Sequence, residues 1–282
     1  MDLSRIAALH PTFDPELRLL VLELDHGKAN EISSEQLDAL DCLNDLLEAQ
    51  GIACLCTTSR RVSGRGTPIF ISGANVSERV GWDDERVRAH VVRQREILRR
   101  LRHAPVFTTV VTHGVSFGWG TEFLLTADYC LATMTARFAL PETGLGILPG
   151  ARGTAELALL IGPAHALRLG CTGEEIDTSE ALRIGLVHEG VADVDAGLAR
   201  VRSLAQRLCT RSPTAVAAFK RGLLAALGQP EPQRLAIEAA AYDHCVTTGE
   251  AAIGRAAFSA GRADPGKSTT SRPSGPAWGP RR

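Results

Sequence analysis

The stretch that most constrains the fold is "VFTTVVTHGVSFGWGTEFLLTADYCLAT", residues 106–133. Its β-branched opening is bounded by Pro105 and Gly114, a composition that predicts a strand. A helix is predicted from about Gly120 to Ala127, and a second strand is predicted over 129–133. A strand, a glycine turn, a short helix and another strand in so few residues predict an α/β fold.

The same alternation extends over the first two thirds of the chain, with uneven connections. Strands are predicted at 17–24, 52–57, 69–73 and 185–191, and helices at 32–49, 84–103, 154–161, 163–169 and 178–184. Ser33 and Gln36 fit a capping box at the start of the first of these helices. No G-x-G-x-x-G opens a helix after the first strand, which disfavours a doubly wound dinucleotide fold.

The sequence divides by pattern into three parts. Residues 1–194 are predicted to form the α/β core, and residues 195–262 are helical in pattern, with apolar faces that lack an evident partner. Residues 263–282 are rich in Pro, Gly, Ser and Thr, a composition that predicts a disordered tail.

Composition argues against several classes of function. Lys plus Arg total 31 and Asp plus Glu total 32, so bulk electrostatics do not favour nucleic-acid binding. No apolar run reaches the roughly 20 residues that a membrane-spanning helix needs, and the N-terminus lacks the apolar core of a signal peptide. Seven cysteines without a C-x-x-C pair predict reduced thiols in a cytoplasm, not disulfides or a zinc site.

Three places combine a backbone turn with polar chemistry. Gly73 and Ala74 end a predicted strand, where free amides can point at an anion. Glu122 lies in the first turn of a helix, whose unpaired N–H groups also suit an oxyanion. Glu142 stands between a proline and a glycine-rich loop. Each has an ordinary structural explanation by itself: a turn, a favourable helix dipole, and a solvated carboxylate.

Taken in order, these places resemble the crotonase (enoyl-CoA hydratase and isomerase) superfamily. The matching motifs are "FISGANV" (70–76) for F-x-x-G-A-D-I, "GVSFGWGTE" (114–122) for G-x-x-x-G-G-G-x-E, "PETGLGILPGARGT" (141–154) for P-E-x-x-x-G-x-x-P-G-x-G-G-T, the early "GKAN" (27–30), and "CTGEEIDTSEALRIGLV" (171–187). The resemblance runs from about residue 17 to residue 262. It implies a crotonase-like ββα spiral core followed by a C-terminal helical trimerisation region.

The resemblance also implies roles for individual residues. The backbone N–H groups of Ala74 and Trp119 would form an oxyanion hole for the thioester carbonyl, and Glu122 and Glu142 would be the catalytic pair. The matched substrate-binding positions are Lys28, Ser72, Gly73, Gly118 and Arg262. Coenzyme A would enter as part of an acyl-CoA substrate, with no metal and no other cofactor. Arg60, Arg61 and Arg65 are equally explained as phosphate contacts or as a solvated basic loop.

The sequence departs from the family pattern at three positions. Trp119 replaces the middle glycine of the oxyanion motif, Arg152 replaces a glycine after Pro149, and Asn75 replaces an aspartate. None of these changes removes a catalytic group. The backbone at Trp119 must suit an L-residue, and its indole is expected to cover the acyl pocket or to pack under the loop.

Retention of both glutamates favours an enoyl-CoA hydratase, since the family's isomerases generally keep one. The alternatives are another fate for the enolate, namely isomerisation, decarboxylation, C–C hydrolysis or retro-aldol cleavage, or a CoA-thioester-binding protein without turnover. A trimer or a hexamer built from trimers is expected.

Overall fold

The structure is a computed structural model that describes residues 1–49 and 51–262. Its strands form two sheets. The first has six strands in the order β1-β2-β3-β5-β7-β10, and the second has four in the order β4-β6-β8-β9. The strands are β1 (Pro11–Asp14), β2 (Leu19–Leu24), β3 (Cys54–Ser59), β4 (Ile69–Ile71), β5 (Phe107–Thr112), β6 (Val115–Phe117), β7 (Tyr129–Thr133), β8 (Arg137–Ala139), β9 (Ile176–Asp177) and β10 (Glu189–Val191).

Helices connect and flank these strands. They are α1 (Ser34–Glu48), α2 (Asp84–Arg102), α3 (Trp119–Leu124), α4 (Gly153–Ile161), α5 (Pro163–Thr172), α6 (Thr178–Ile184), α7 (Val194–Leu208), α8 (Pro213–Ala226), α9 (Glu231–Thr247) and α10 (Glu250–Arg262). Short 3-10 helices occupy Ser4–Leu9, Val76–Arg79 and Pro141–Leu145. The expected capping box at Ser33 and Gln36 is confirmed at the start of α1.

Alternating side chains of the six-stranded sheet belong to two apolar clusters, one on each face. In β2, Leu20 and Leu22 join the main cluster with α1 and α2, while Leu19 joins a second cluster on the other side. The second cluster is completed by α7, which packs so closely that a Cβ at Gly197 would lie 2.4 Å from a methyl of Val111. The helix α7 begins at Val194, one residue before the predicted boundary, and packs on the core. The expectation that the helical region lacks a partner in the core was therefore wrong for this helix.

The chain passes from the first sheet to the second between β5 and β6, at Gly114. This residue has φ +69°, and a Cβ there would lie 1.9 Å from the carbonyl oxygen of Pro68. Val115 N–H donates to that same oxygen, which starts the parallel pairing of β6 with β4. A tight turn at Gly114 therefore moves the chain into the sheet that carries the site.

Several predicted boundaries were wrong. The short strands β1, β6, β8 and β9 were missed, the last strand begins at Glu189 and not at 185, and α3 begins at Trp119. A 3-10 helix at Pro141–Leu145 replaces the first part of the predicted loop 140–154. The short strands escaped notice because segments of two to four residues carry too little periodicity to be recognised.

The predicted C-terminal helical region is confirmed. Lys220, on α8, is nearly buried; its Nζ donates to the carbonyl of Val106 at 2.9 Å and lies 2.7 Å from Asp128. The helices α8 and α9 pack together at Gly222, beside Ala241 and Ile237. Large apolar side chains nevertheless remain exposed on this region, among them Phe219, Leu223, Leu235, Tyr242 and Phe258. The tail expected at 263–282 lies outside the described residues.

We expect Gly114→Ala to destabilise the protein by more than about 3 kcal/mol, because the added methyl overlaps Pro68 and the positive φ strains an L-residue. The matched control is Gly64→Ala, where an added Cβ meets nothing within 4 Å and φ is not positive. That variant should change stability by less than about 0.5 kcal/mol. Urea unfolding of both variants measures the difference, and equal effects would contradict the steric argument.

Candidate active site

A cavity of about 300 Å³ lies between the end of β4, the start of α3, the 3-10 helix Pro141–Leu145 and the helix α2. Its wall brings together seven of the residues that the sequence singled out: Ser72, Gly73, Ala74, Gly118, Trp119, Glu122 and Glu142. The rest of the wall is largely apolar, with Val76, Val91, Leu145, Ile147 and Leu148. Residues from three distant motifs therefore line one pocket.

Gly120 allows the start of α3 to lie against β4. A Cβ at Gly120 would lie 2.2 Å from the carbonyl oxygen of Ile71, so no larger residue fits without movement. Gly118 precedes the helix with φ +51° and Trp119 opens it. Trp119 is not among the residues with positive φ. The expectation that its backbone suits an L-residue is therefore confirmed, and the left-handed conformation falls on the glycine before it.

Two backbone N–H groups at this junction have no backbone acceptor in the described chain. They belong to Ala74 and to Trp119, the first residue of α3. The segment around Ala74 is held by its neighbours, because Ile32 N–H donates to Gly73 O at 2.9 Å and Asn75 N–H donates to Ile32 O at 2.8 Å. A fixed backbone with unpaired donors at the cavity wall is suited to binding an oxygen that carries negative charge.

Glu122 is buried, with 3% of its surface exposed. Its Oε1 atom accepts a hydrogen bond of 2.7 Å from the N–H of Gly153, at the start of α4. Burial raises the pKa of Glu122 to about 7; the hydrogen bond from Gly153 opposes this rise, and the charge of Glu142 adds to it. A carboxyl with this pKa exchanges protons readily near neutral pH, as acid–base catalysis requires.

Glu142 lies in the 3-10 helix Pro141–Leu145 and is also buried. Its Oε2 atom is shielded from solvent and has no hydrogen-bond partner among the described residues. Burial raises the pKa of this carboxyl as well. A Cβ at Gly118 would lie 2.8 Å from its Oε1 atom, so the glycine before α3 leaves the space that Glu142 occupies.

The Trp119 side chain both packs inward and lines the cavity. Its ring stacks on that of Phe123, with 5.5 Å between ring centroids, and the rings of Phe123 and Phe70 of β4 have centroids 6.2 Å apart. The residue is 3% exposed, and its indole Nε1 has no acceptor in the described part of the chain. The large side chain thus occupies space between the core and the cavity where the family pattern has glycine.

The other two departures from the family pattern stay outside the reacting centre. Asn75 accepts a hydrogen bond from Ser77 N–H and caps the 3-10 helix Val76–Arg79. Arg152 keeps a glycine-like φ of +92°, and its guanidinium pairs with Glu156 one turn along α4. The charge of Arg152, just before α4, is therefore paired with Glu156 on that helix.

Neither Lys28 nor the loop arginines Arg60, Arg61 and Arg65 line the cavity. Lys28 is exposed and precedes Ala29, whose carbonyl accepts from Ser72 N–H at 3.2 Å, so Lys28 lies beside the edge of the site. Arg60 pairs with Glu23 and Asp195, and Arg61 pairs with Asp25, while Arg65 is exposed. Arg262 ends α10, and its side chain lies outside what the structure describes.

Sequence reasoning missed three residues that shape the site. Gly153 donates to Glu122, and a Cβ there would lie 2.8 Å from the carboxylate. Arg79 and Gln94 line the cavity. The one available signal was Gln94, a polar residue three and four positions before the buried Ile97 and Leu98 on the apolar face of α2.

Within residues 1–49 and 51–262, no group of three or more His, Cys, Asp or Glu side chains is arranged to hold a metal ion. In the same part of the chain, no helix has the length and apolar character to cross a membrane. All seven cysteines are unpaired, and burial raises the pKa of the Cys54, Cys56 and Cys130 thiols.

Comparisons with known proteins agree with this fold. The family model described as enoyl-CoA hydratase/isomerase matches residues 61–265. A short-chain-enoyl-CoA hydratase of Clostridium acetobutylicum is 30% identical over 240 residues, covering 83% of this chain and 88% of that protein. A crotonyl-CoA hydratase of Syntrophomonas wolfei is 28% identical, covering 87% and 93%. The 1.8 Å crystal structure of an enoyl-CoA hydratase from Bacillus anthracis matches with a TM-score of 0.77 at 28% identity, covering 86% and 93%.

The fold and the cavity with its two buried carboxyls define an α/β enzyme of the crotonase superfamily. The chain belongs to the enoyl-CoA hydratase/isomerase family.

The raised pKa of Glu122 makes a prediction about stability. Between pH 4.5, the ordinary glutamate value, and about pH 7, the folded protein keeps a proton that the unfolded chain has lost. The contribution of Glu122 to the free energy of unfolding is therefore largest below pH 4.5, falls as the pH rises through the window, and is constant above it. Glu122→Gln has no such titrating group at this position. The free energy of unfolding of this variant, relative to that of the parent, should therefore rise by on the order of 3 kcal/mol across the window.

Urea unfolding of both proteins at several pH values tests this expectation. Glu85→Gln, at an exposed position on α2, is the control and should follow the parent. A pH-independent difference between Glu122→Gln and the parent would contradict the raised pKa.

Proposed function

We propose that the protein is an enoyl-CoA hydratase, which adds water across the 2,3-double bond of an acyl-CoA thioester. The observation that carries the proposal is the pairing of Glu122 and Glu142 in one cavity wall with the unpaired N–H groups of Ala74 and Trp119. The relatives named above as hydratases support the same activity.

Hydration needs a stabiliser for the enolate oxygen, a base for the water and an acid for C2, and the cavity offers a candidate for each. The thioester oxygen gains negative charge as an enolate forms, and the N–H groups of Ala74 and Trp119 would stabilise it; one such donor is typically worth about 2.7–4 kcal/mol. One carboxylate of the pair takes a proton from water as its oxygen bonds to C3. The other carboxyl, protonated, gives its proton to C2. The raised pKa values of Glu122 and Glu142 suit this division.

The alternatives differ from this proposal in the fate of the substrate. Isomerisation, decarboxylation, C–C hydrolysis or retro-aldol cleavage would use the same enolate but would not add water across the 2,3-double bond. A CoA-thioester-binding protein without turnover is the other alternative, and it is favoured only if Trp119 fills the space that the acyl chain needs. Loss of the conjugated absorbance of an enoyl-CoA, with formation of the 3-hydroxyacyl product, separates hydration from all of these.

We also propose a trimer or a dimer of trimers, working in a reducing cytoplasm. The support for assembly is the set of exposed apolar side chains on α8, α9 and α10. Support for the compartment comes from the seven unpaired thiols.

Replacing either glutamate should stop turnover without loss of binding. We expect Glu122→Gln and Glu142→Gln each to lower kcat for a short enoyl-CoA by about 100-fold or more, the scale of one positioned acid or base. The affinity for a saturated acyl-CoA should stay within a few-fold, since shape and backbone donors persist. Glu85→Gln again serves as the control, and hydration at the parent rate by both cavity variants would contradict the assignment.

Trp119 should limit which acyl chains the site accepts. Trp119→Gly keeps the backbone donor and removes a side chain of roughly 150–250 Å², so hydration of short enoyl-CoAs should persist while bulkier chains become acceptable. Trp119→Phe keeps most of the bulk and should preserve the parent's ranking of substrates. The measurements are kcat/KM over an acyl series and thermal unfolding. A lower melting temperature with an unchanged ranking would show that the indole is only a structural plug.

A further inference from the structure

A positive charge without a counter-ion lies in the cavity wall. Arg79, the last residue of the 3-10 helix Val76–Arg79, lines the cavity together with Gly73 and Ala74. Across the described residues its guanidinium forms no ion pair, and its Nε atom is shielded from solvent without an acceptor. Burial lowers the pKa of Arg79, opposed only by the charge of Glu78. Arg79 is half-buried, and a cation that has lost part of its hydration is destabilising unless something pairs with it.

The carboxylates near Arg79 are engaged elsewhere or do not pair with it. Glu78 Oε2 accepts hydrogen bonds of 3.0 Å from both the N–H and the hydroxyl of Ser34, where α1 begins. Glu142 forms no ion pair with Arg79 in the described chain, and its Oε2 atom has no hydrogen-bond partner there. Glu31 also lines the cavity and forms no ion pair with Arg79 in the described chain. The protein itself therefore leaves this charge unmatched.

A second unpaired donor lies in the same wall. Gln94 lies on the buried face of α2 and is only 3% exposed. Its Nε2 atom nevertheless has no acceptor in the part of the chain that the structure describes. On the same helix, the pKa of His90 is lowered by burial and by the charge of Arg79. Buried donors without partners reduce stability, so their presence beside an open cavity indicates that a ligand supplies the acceptor.

We propose that the acyl group of the substrate ends in a carboxylate, which pairs with Arg79 and accepts from Gln94, so that the enzyme acts on ω-carboxy-2-enoyl-CoA thioesters. This inference rests on the proposed hydratase activity. It assigns Arg79 as a specificity-determining residue and Gln94 as its neutral partner.

The proposal follows from the energetics of the pocket. A guanidinium offers parallel N–H donors that match both oxygens of a carboxylate, and it is more weakly hydrated than an ammonium group. A methyl-terminated chain would bury Arg79 more deeply without pairing it, and a buried polar group left unpaired opposes binding. The same apolar wall that strengthens the ion pair therefore discriminates against an uncharged chain.

The experiment compares matched substrates on matched variants. The substrates are short 2-enoyl-CoAs that end in a carboxylate and isosteric partners that end in an isopropyl group. We expect the parent to prefer the carboxylates, and Arg79→Met to lower kcat/KM for them by at least about tenfold, the scale of one charge-assisted hydrogen bond. The same change should leave the isopropyl substrates unchanged or improve them. Arg88→Met removes an exposed charge on α2 and should change neither class.

Binding separates this inference from the proposed activity. Calorimetry with saturated ω-carboxyacyl-CoA, its isopropyl partner and free CoA needs no turnover. Selective loss of the carboxylate ligand in Arg79→Met supports the proposal even if no hydration occurs. Equal loss for all three ligands would show that Arg79 binds the phosphates of CoA, and parent preference for the isopropyl chain would show that the acyl group is uncharged. Either of these results overturns the proposal, whereas the hydratase activity would stand.

Discussion

The site depends on close approach at three glycines. At Gly120 the start of α3 lies against the carbonyl of Ile71, at Gly118 the chain leaves room for Glu142, and at Gly153 the N–H reaches Glu122. In each case a Cβ would lie 2.8 Å or less from the facing atom. These contacts bring β4, α3, the start of α4 and the 3-10 helix Pro141–Leu145 together around one cavity, so both carboxyls and both free amides depend on backbone packing.

Burial gives the carboxyls their chemical character. Glu122 and Glu142 lie in a largely apolar wall, where the charged form is disfavoured and the pKa rises. The hydrogen bond from Gly153 limits this rise at Glu122, which places its pKa at about 7. Surfaces that keep water away from the carboxyls thus prepare them for proton transfer. In the same apolar surroundings, an unpaired charge such as that of Arg79 would favour ligands that carry the opposite charge over uncharged ones.

The departures from the family pattern differ in their consequences. Asn75 caps a 3-10 helix as an aspartate would, and Arg152 keeps a glycine-like φ while pairing with Glu156. Trp119 changes the cavity wall itself. The backbone donors and the two glutamates stay in place. Divergence in this chain therefore falls on the space that would receive the acyl group, and leaves the candidate reacting groups intact.

The sequence by itself determined the α/β class, the capping box of α1, the helical C-terminal region and the residues of the cavity that lie in ordered motifs. The first three features follow from local periodicity and capping, which a linear chain displays. The cavity residues follow from the resemblance of the ordered motifs to the crotonase superfamily. Only the tertiary structure decided that α7 belongs to the core, that Gly153 donates to Glu122, and that Arg79 and Gln94 share the wall of the cavity. Each of those contacts joins segments far apart in the chain, and burial, which sets the pKa of Glu122 and isolates the charge of Arg79, exists only after the chain has folded.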